Sequence, residues 1–268
     1  MQKNFLSPVE IAHATIATGI KKAELASLQM ILLGFFAGAF IAFGANADII
    51  IMQTFKKIDV GLAKFLGAAV FPVGLMLVVI AGAELFTGNN LMTLALFDKK
   101  ITILQLLKNW LLVYAANFLG SVFIAYLVSA SGLLTGTAAE TAINIAKAKL
   151  SLNFFSAFLR GIGCNMLVVL AVWIATSAQD IASKLFSCWF PIMLFVLSGF
   201  EHSVANMFFL PVARFLGFPA SWSKIWFANL IPVTLGNIIG GAVIVPLVYY
   251  ICYVLPERKK DFSSFRAA

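Results

Sequence analysis

The sequence predicts an all-α membrane protein with six transmembrane spans, arranged as two inverted three-span repeats whose second and fifth helices are broken. Three observations lead to this fold class. The 268 residues are 62% hydrophobic and only 11% charged, against roughly 25% charged in an ordinary soluble domain. Six apolar segments are long enough to cross about 30 Å of hydrocarbon, and polar residues interrupt the second and fifth. Because each half holds an odd number of spans, the second half must insert upside down relative to the first.

We expect one transmembrane domain over residues 1–268. The apolar segments lie at 28–52, 66–97, 103–130, 154–177, 185–215 and 226–255. The parts of the domain are an amphipathic N-terminal helix over 1–27, a first repeat over 28–130, a connecting loop over 131–153, a second repeat over 154–255 and a tail over 256–268. The loop takes on a helical pattern from Ala138 to Lys149.

The charges between the spans predict the orientation of the chain. With six spans both termini lie on one face, which carries 11 of the 19 Lys and Arg residues, and the other face carries the remaining 8. Positive charge is enriched on the cytoplasmic side, so this count favours cytoplasmic termini. The segment 1–27 is mixed and polar, which predicts a helix on the membrane surface and no cleavable signal peptide. The net charge of +8 is scattered over short connections and does not predict nucleic acid binding.

The three cysteines, Cys164, Cys188 and Cys252, lie singly within apolar segments. This spacing predicts neither a disulfide framework nor a metal cluster. We also expect no cofactor.

The second and fifth segments are broken by a similar pattern. The first break is Gly82-Ala83-Glu84-Leu85-Phe86-Thr87-Gly88-Asn89-Asn90, and the second is Ser198-Gly199-Phe200-Glu201-His202-Ser203-Val204-Ala205-Asn206. Each break follows a Phe-Pro pair and contains Gly-x-Glu. Paired interruptions in two halves of a membrane protein are typical of a solute site near the middle of the bilayer.

Glu84 and Glu201 are the two acidic residues in the middle of apolar segments. An unpaired carboxylate costs at least a few kcal/mol there, and backbone N–H groups at the start of the next half-helix would offset that cost. We therefore expect each glutamate to support its own break, with direct contact to a solute as the alternative. Thr87 and Ser203 are predicted to occupy the same place in the two repeats, where a hydroxyl caps the half-helix or faces the passage.

His202 lies beside the second break, whereas the other histidine, His13, lies in the N-terminal segment. A lone histidine is usually a satisfied core residue, but polar groups at mid-membrane are typically functional. Because its charge changes near neutral pH, His202 is a candidate to attract an anion, to donate a hydrogen bond to it or to hand it a proton. Lys149 is either a lysine that reaches the interface or a charge that recruits anions at the outer mouth.

Several amides and apolar side chains near the breaks complete the candidate site. Amides in membrane segments join helices through hydrogen bonds worth about 1 kcal/mol each; here they are Asn89, Asn90, Asn165 and Asn206. Apolar side chains beside the breaks are candidates for constrictions that admit small, partly dehydrated solutes; they are Phe71, Leu85, Phe86 and Phe195.

Four motifs resemble the formate–nitrite transporter family, which includes the formate, nitrite and hydrosulfide channels of bacteria. They are Gly82-Ala83-Glu84-Leu85-Phe86-Thr87-Gly88, Gly163-Cys164-Asn165-Met166-Leu167-Val168-Val169-Leu170-Ala171-Val172-Trp173, Ser198-Gly199-Phe200-Glu201-His202-Ser203-Val204-Ala205-Asn206-Met207 and Ile231-Pro232-Val233-Thr234-Leu235-Gly236-Asn237-Ile238-Ile239-Gly240-Gly241. They span 67–245, so the resemblance covers almost the whole chain. Val169 stands where many members have a cysteine, and Gly88-Asn89-Asn90 is nearer to the nitrite and hydrosulfide type than to the enterobacterial formate type.

The resemblance implies an aquaporin-like protomer in a homopentamer, with a pore in each protomer. It implies a cytoplasmic gate at Leu85, Phe86 and Thr87, and apolar constrictions formed by Phe71, Leu75, Phe86 and Phe195. His202 would lie between these constrictions in a network with Thr87 and Asn165. Lys149 matches the anion-attracting lysine of the family, and Glu201 and Asn206 match the polar residues beside its histidine.

The expected function is a channel for small monovalent anions of weak acids in the bacterial inner membrane. Formate is the first candidate solute, nitrite and hydrosulfide follow closely, and protons are coupled through His202. One alternative is a pore for neutral solutes such as water or glycerol, although no Asn-Pro-Ala pair caps the half-helices. Another is a membrane enzyme that uses His202 with Glu84 or Glu201. We predict no enzyme, because the sequence pairs no nucleophile with a base and has no metal-ligand spacing.

Overall fold

The computed structural model describes residues 5–55 and 58–257, and this part of the chain is almost entirely helical. Residues 258–268 of the predicted tail lie outside the described residues, and so do the lysines at 56 and 57. In chain order the helices are α1 (Pro8–Glu24), α2 (Ser27–Phe55), α3 (Val60–Gly82), α4 (residues 86–97), α5 (Ile103–Ala130), α6 (Gly136–Leu150), α7 (Phe154–Ser177), α8 (Ile181–Leu197), α9 (Ser203–Phe215) and α10 (Trp222–Glu257).

Five of the described helices are long and apolar enough to cross a membrane, namely α2, α3, α5, α7 and α10. The predicted fifth segment, 185–215, is divided between two shorter apolar helices, α8 and α9. The predicted second segment, 66–97, is likewise divided between α3 and α4. The all-helical, membrane-like fold is thus confirmed, and both predicted breaks fall between helices.

Several helices depart locally from α geometry. Helix α3 runs from Val60–Val70 through a turn at Phe71 and Pro72 to Val73–Leu77 and ends in the π-helical Val78–Gly82. Helix α4 consists of Phe86–Asn89, the 3₁₀ turn Asn90–Met92 and Thr93–Phe97. Helix α10 contains three π-helical stretches, Trp226–Leu230, Ile239–Ile244 and Tyr250–Val254. Such π-segments within helices frequently mark functional sites.

The N-terminal helix begins at a capping box. The Glu10 carboxylate accepts hydrogen bonds from the Ser7 backbone N–H at 2.7 Å and from the Ser7 hydroxyl at 2.6 Å, and Pro8 occupies the first helical position. Proline is favoured there because a backbone N–H at this position has no acceptor within the helix, so proline loses nothing by lacking one. Helix α1 buries Ile11 and Ile16 in a core cluster shared with α4 and α7. Its last turn carries Lys22 to the first break.

Two glycines allow the chain to leave the helix at each break. Gly82 has φ of +84° and Gly199 has φ of +73°, which is the left-handed region that other residues rarely adopt. The chain then runs extended through Leu85 and His202 before the next helix begins at Phe86 or Ser203. The Gly-x-Glu pattern therefore marks the exit from one half-helix and the approach to the next.

The long helices approach one another closely at small residues. A Cβ on Gly38 of α2 would lie 2.0 Å from the carbonyl oxygen of Asn117 in α5, and a Cβ on Gly236 of α10 would lie 2.1 Å from the carbonyl oxygen of Phe158 in α7. Close backbone contact of this kind replaces the hydrophobic drive that lipid does not supply. It brings the asparagines of α5 and α10 within reach of the breaks.

Candidate functional site

One asparagine fixes the backbone around the first break. The Asn117 side-chain oxygen accepts a hydrogen bond from the Phe86 backbone N–H at 2.9 Å, where α4 begins. Its amide nitrogen donates to the carbonyl oxygens of Gly34 at 2.7 Å and Glu84 at 2.9 Å. Asn117 is fully buried, so this one side chain satisfies both sides of the interrupted backbone and joins it to α2.

Asn237 does the same at the second break. Its side-chain oxygen accepts from the Ser203 backbone N–H at 2.9 Å, and its amide nitrogen donates to the carbonyl oxygens of Gly161 at 2.8 Å and Glu201 at 3.0 Å. Phe86 and Ser203 are therefore the equivalent residues of the two breaks.

This alignment corrects one prediction from the sequence. The expected equivalence of Thr87 and Ser203 is wrong by one position, because the hydrogen bonds to asparagine set the register. Thr87 corresponds to Val204, and Leu85 corresponds to His202.

Glu84 is held by two side chains. Lys22 donates from Nζ to Glu84 Oε1 at 2.5 Å, and Asn89 donates to Glu84 Oε2 at 2.7 Å. Asn89 also donates to Asn109, whose own amide nitrogen donates to the Lys22 carbonyl oxygen at 3.2 Å. The glutamate was expected to rely on backbone N–H groups of the following half-helix. The Lys22 ammonium and the Asn89 amide hold it instead, and the ammonium balances the full negative charge of the carboxylate.

Glu201 repeats this arrangement at the second break. Lys149 donates from Nζ to both carboxylate oxygens, at 3.0 and 3.2 Å, and Asn206 donates to Oε2 at 2.7 Å. Asn206 also donates to Asn229, which donates to the Lys149 carbonyl oxygen at 3.2 Å. Glu84 and Glu201 are 6% and 4% exposed, so both ion pairs are shielded from bulk solvent on the carboxylate side.

His202 has a defined tautomer in this network. Its Nδ1 accepts a hydrogen bond from the Ala205 backbone N–H at 3.1 Å and so caps α9. A nitrogen that accepts carries no proton, so the proton of the neutral ring is on Nε2. Nε2 lies 2.8 Å from the Thr87 hydroxyl oxygen, and the N–H donates to it. The predicted link between His202 and Thr87 is present, and it joins the two breaks directly.

Cavities approach His202 from both ends of the molecule. A cavity of about 580 Å³, which we call the Lys22 vestibule, is lined by Lys22, Glu84 and Leu85 among others. A cavity of about 190 Å³, the Lys149 vestibule, is lined by Lys149, Glu201 and His202 among others. Each vestibule thus contains one of the two ion pairs.

A third, central cavity lies between the vestibules. Its volume is about 10 Å³, which leaves space for roughly one water molecule. It shares Leu75 and Leu85 with the Lys22 vestibule and Phe71 and Phe195 with the Lys149 vestibule. These four side chains are at most 3% exposed, so apolar residues close the central cavity at both ends. His202 also lines it, and its ring stacks on Phe195 with centroids 5.7 Å apart.

Several of the predicted site residues line none of the described cavities, among them Thr87, Phe86, Asn165, Ser203 and Asn206. Phe86 packs its ring against Tyr114, with centroids 4.8 Å apart. Asn165 donates to the Asn90 side chain and to the Asn237 carbonyl oxygen, both at 2.8 Å, and to the Thr87 carbonyl oxygen at 3.3 Å. It therefore supports the backbone behind Thr87, and its link to His202 runs through Thr87. Ser203 is fully buried beside His202.

The sequence did not identify Lys22, nor the roles of the asparagines on α5 and α10. A signal for both was present. Lys22 precedes Gly34 by the same number of residues as Lys149 precedes Gly161. The spacing from Asn109 to Asn117 likewise equals the spacing from Asn229 to Asn237. Among the described residues no group of three or more His, Cys, Asp and Glu side chains is placed to hold a metal ion.

Known proteins share the sequence pattern and the fold of this chain. The family described as formate/nitrite transporter matches residues 9–251. The chain is 47% identical to the uncharacterized transporter YrhG of Bacillus subtilis, over 97% of this chain and 96% of that one. It is 41% identical to the formate channel BtFdhC of Bacillus thuringiensis, over 93% of this chain and 96% of that one.

A solved structure described as a pentameric formate channel with formate bound also matches. The TM-score is 0.78 at 33% identity, and the match covers 85% of this chain and 98% of that one. The resemblance predicted from the four motifs is thus confirmed across sequence and fold. The chain belongs to the formate/nitrite transporter family.

Proposed function

We propose that this protein is a membrane channel for small monovalent anions of weak acids, with formate as the first candidate and nitrite or hydrosulfide close behind. One observation carries the proposal: two charged vestibules are separated by a very small apolar cavity that His202 lines. The formate channel of Bacillus thuringiensis and the formate-bound pentameric structure support formate as the solute. The solute crosses without covalent change, so the protein is a channel and not an enzyme.

The proposed architecture has six spans in two inverted repeats, over 28–130 and 154–255, joined by residues 131–153. The shorter helices α3 with α4 and α8 with α9 would each complete one broken span. Support comes from the matched contacts of Asn117 and Asn237 and from the matched ion pairs of Glu84 and Glu201. The aquaporin-like protomer would assemble as a homopentamer in the bacterial inner membrane, with both termini cytoplasmic.

The proposed mechanism begins with the charge of Lys149. Its ammonium, 15% exposed in the vestibule wall, raises the local concentration of anions. The constriction of Phe71 and Phe195 offers no counter-charge, and a bare anion is costly in such surroundings. The anion therefore takes up a proton in the Lys149 vestibule, either from water or through His202, and crosses as the neutral acid. It releases the proton to water in the opposite vestibule, beside Lys22. Net transport is one anion together with one proton.

His202 would supply the polar contact in the middle of the passage. A proton relay through the ring balances only if Nδ1 takes up a proton as the Nε2 proton passes to the anion. That exchange breaks the hydrogen bond from Ala205 to Nδ1. A proton relay therefore requires a local rearrangement at the start of α9. A direct hydrogen bond from His202 to the solute requires no such rearrangement.

Flux into proteoliposomes tests this function. Purified protein is compared with empty vesicles for formate, nitrite, hydrosulfide, acetate, chloride and glycerol at two pH values. We expect a small weak-acid anion to be transported best, and faster at the lower pH. Glycerol uptake with exclusion of the anions would instead establish a pore for neutral solutes.

A variant at His202 tests the proton relay. His202→Phe keeps a ring of similar size and is expected to assemble but to lose the pH dependence that the relay contributes. Unchanged pH dependence in assembled His202→Phe would rule out the relay and leave the hydrogen-bonding role.

A further inference from the structure

Helix α4 is fixed beside the first break by Asn90, a side chain that the proposed mechanism does not use. Asn90 is fully buried. Its amide nitrogen donates a hydrogen bond to the Phe86 carbonyl oxygen at 3.1 Å, and its side-chain oxygen accepts one from the Asn165 amide nitrogen at 2.8 Å. Its own carbonyl oxygen accepts a hydrogen bond from the Thr93 hydroxyl at 2.9 Å. Asn90 thus joins the start of α4 to α7.

These contacts hold the peptide groups on both sides of Thr87. The Phe86 carbonyl belongs to the peptide group that precedes Thr87, and it accepts from Asn90. The Thr87 carbonyl belongs to the peptide group that follows, and it accepts from Asn165 at 3.3 Å. Because each peptide group is planar, fixing both of them fixes the direction in which the Thr87 side chain projects. We call Asn90 and Asn165 together the Asn90–Asn165 clamp.

The second break has an apolar residue at the position that matches Asn90. The equivalence of Phe86 and Ser203 pairs Asn90 with Met207, four residues further along each helix. Met207 is fully buried, and its side chain has no amide that could bond the backbone as Asn90 does.

The position that matches Asn165 carries no side chain. The backbone N–H groups of the two glutamates donate to the carbonyl oxygens of Leu33 in α2 and Arg160 in α7, both at 3.2 Å. The same offset along these helices pairs Asn165 with Gly38. The second break therefore folds on the contacts that the repeats share, and the clamp is an addition at the break that carries Thr87.

The position of Thr87 matters because its hydroxyl accepts the hydrogen bond that joins the two breaks. Thr87 Oγ1 lies 2.8 Å from His202 Nε2, and a hydrogen bond weakens steeply when its angle or distance departs from the preferred range. His202 also lines the central cavity. A ring that loses this acceptor would reorient at the point where the solute passes.

We propose that Asn90 is a positioning residue, which acts through Asn165 and the backbone to hold the Thr87 hydroxyl where the His202 Nε2–H donates to it. The proposal rests on the proposed function, in which His202 supplies the polar contact with the solute. Loss of the clamp is expected to weaken the hydrogen bond between Thr87 and His202 although both side chains are still present. Formate flux is expected to fall several-fold as a result.

The test observes His202 directly, by NMR of protein that is labelled with 15N-histidine and reconstituted in lipid. His13→Gln leaves His202 as the one histidine of the chain, and this variant is the parent of all the others. The signal of the protonated ring nitrogen changes with the strength of the hydrogen bond that this nitrogen donates. Thr87→Val in this parent gives the reference signal for a ring without the Thr87 acceptor.

Asn90→Met places in the first break the residue that Met207 contributes to the second. We expect this variant to move the His202 signal most of the way toward that of Thr87→Val and to slow formate flux into proteoliposomes several-fold. Asn90→Ser is expected to move both in the same direction. Met207→Leu makes a volume-conserving change at the matching buried position and is expected to leave the signal and the flux unchanged.

An unchanged His202 signal in assembled Asn90→Met and Asn90→Ser would overturn the positioning role. A moved signal without slower flux would overturn it too, and so would an equal movement in Met207→Leu. Failure of both Asn90 variants to assemble would also overturn it, since Asn90 would then be required for the fold. The proposed function fails on a different result, namely a parent protein that transports no weak acid.

Discussion

The two breaks are held by matching hydrogen bonds, yet different side chains project from them. At each break an asparagine from a long helix bonds both ends of the interrupted backbone, and a lysine pairs with the glutamate. Between these contacts, Leu85 corresponds to His202 and Thr87 corresponds to Val204. The first break thus contributes an apolar side chain and a hydroxyl, and the second an imidazole and an apolar side chain. The residues that repeat support the backbone, whereas two of those that differ, Thr87 and His202, form the hydrogen bond between the breaks.

Removal of either asparagine that supports the interrupted backbone is expected to have the largest effect on stability. Asn117→Leu and Asn237→Leu each delete three buried hydrogen bonds and leave backbone groups unsatisfied, at about 1 to 3 kcal/mol for each such group. We expect both variants to assemble poorly and to unfold at clearly lower temperature in detergent. Gln179→Leu, on an exposed connection, is the control for loss of an amide. A large loss at one asparagine and none at the other would contradict the equivalence of the breaks.

The ion pairs provide the next test. Lys22→Met and Lys149→Met each leave a buried glutamate without its ammonium, which typically costs about 3 to 5 kcal/mol; partial exposure of both lysines favours the lower end. The matched double variants Lys22→Met/Glu84→Gln and Lys149→Met/Glu201→Gln should recover most of the thermal stability, because no charge is then left unpaired. Double variants that stay as unstable as the single ones would show that the loss comes from the packing of the lysine side chains and not from the unpaired charge.

Thr87→Val removes one of the differences between the two breaks, because it places in the first break the residue that Val204 contributes to the second. The His202 Nε2–H then loses its acceptor, so we expect a moderate loss of stability, of about 1 kcal/mol, and several-fold slower formate flux. Thr87→Ser keeps the hydroxyl and serves as the control. Equal flux in Thr87→Val and wild type would mean that the hydroxyl has no role in the passage.

The smallest expected effect concerns the caps of the broken helices. Asp59 accepts from the Leu62 N–H at 2.6 Å at the start of α3, and Asp180 accepts from the Ser183 N–H at 2.8 Å at the start of α8. Hydrogen bonds from the side chain and the backbone of Ser183 lower the pKa of Asp180. Its contribution to stability is therefore present at neutral pH and is lost as the pH falls through the lowered, folded-state pKa.

Asp180→Asn keeps an oxygen acceptor and removes the titrating group. We expect wild type to unfold at a slightly higher temperature than Asp180→Asn at neutral pH, and this small difference to disappear in acid. A difference that is the same at both pH values would show that the charge of Asp180 does not matter.

The sequence predicted the parts of this molecule that depend on local chemistry. A glutamate and a glycine inside an apolar segment are conspicuous whatever they contact, so Glu84 and Glu201 marked the breaks correctly. The helix exits at Gly82 and Gly199 follow from the same pattern. His202 stood out because histidine is rare in this chain.

Contacts between distant segments were less accessible. Glu84 and Glu201 take their ammonium partners from 62 and 52 residues away, in amphipathic helices rather than in the spans. In the sequence, Lys22 is simply one of several charges at the flank of a membrane segment. Thr87 and Ser203 invited pairing because both carry hydroxyls, whereas the register is set by backbone hydrogen bonds that only the folded chain reveals.

In the proposed mechanism, solutes cross the apolar cavity at His202 as neutral acids. Formate uptake and internal pH are followed together in proteoliposomes given an inward formate gradient at neutral pH. We expect the interior to acidify in step with formate uptake, with one proton for each anion. Formate uptake that develops a membrane potential and leaves the internal pH unchanged would contradict it.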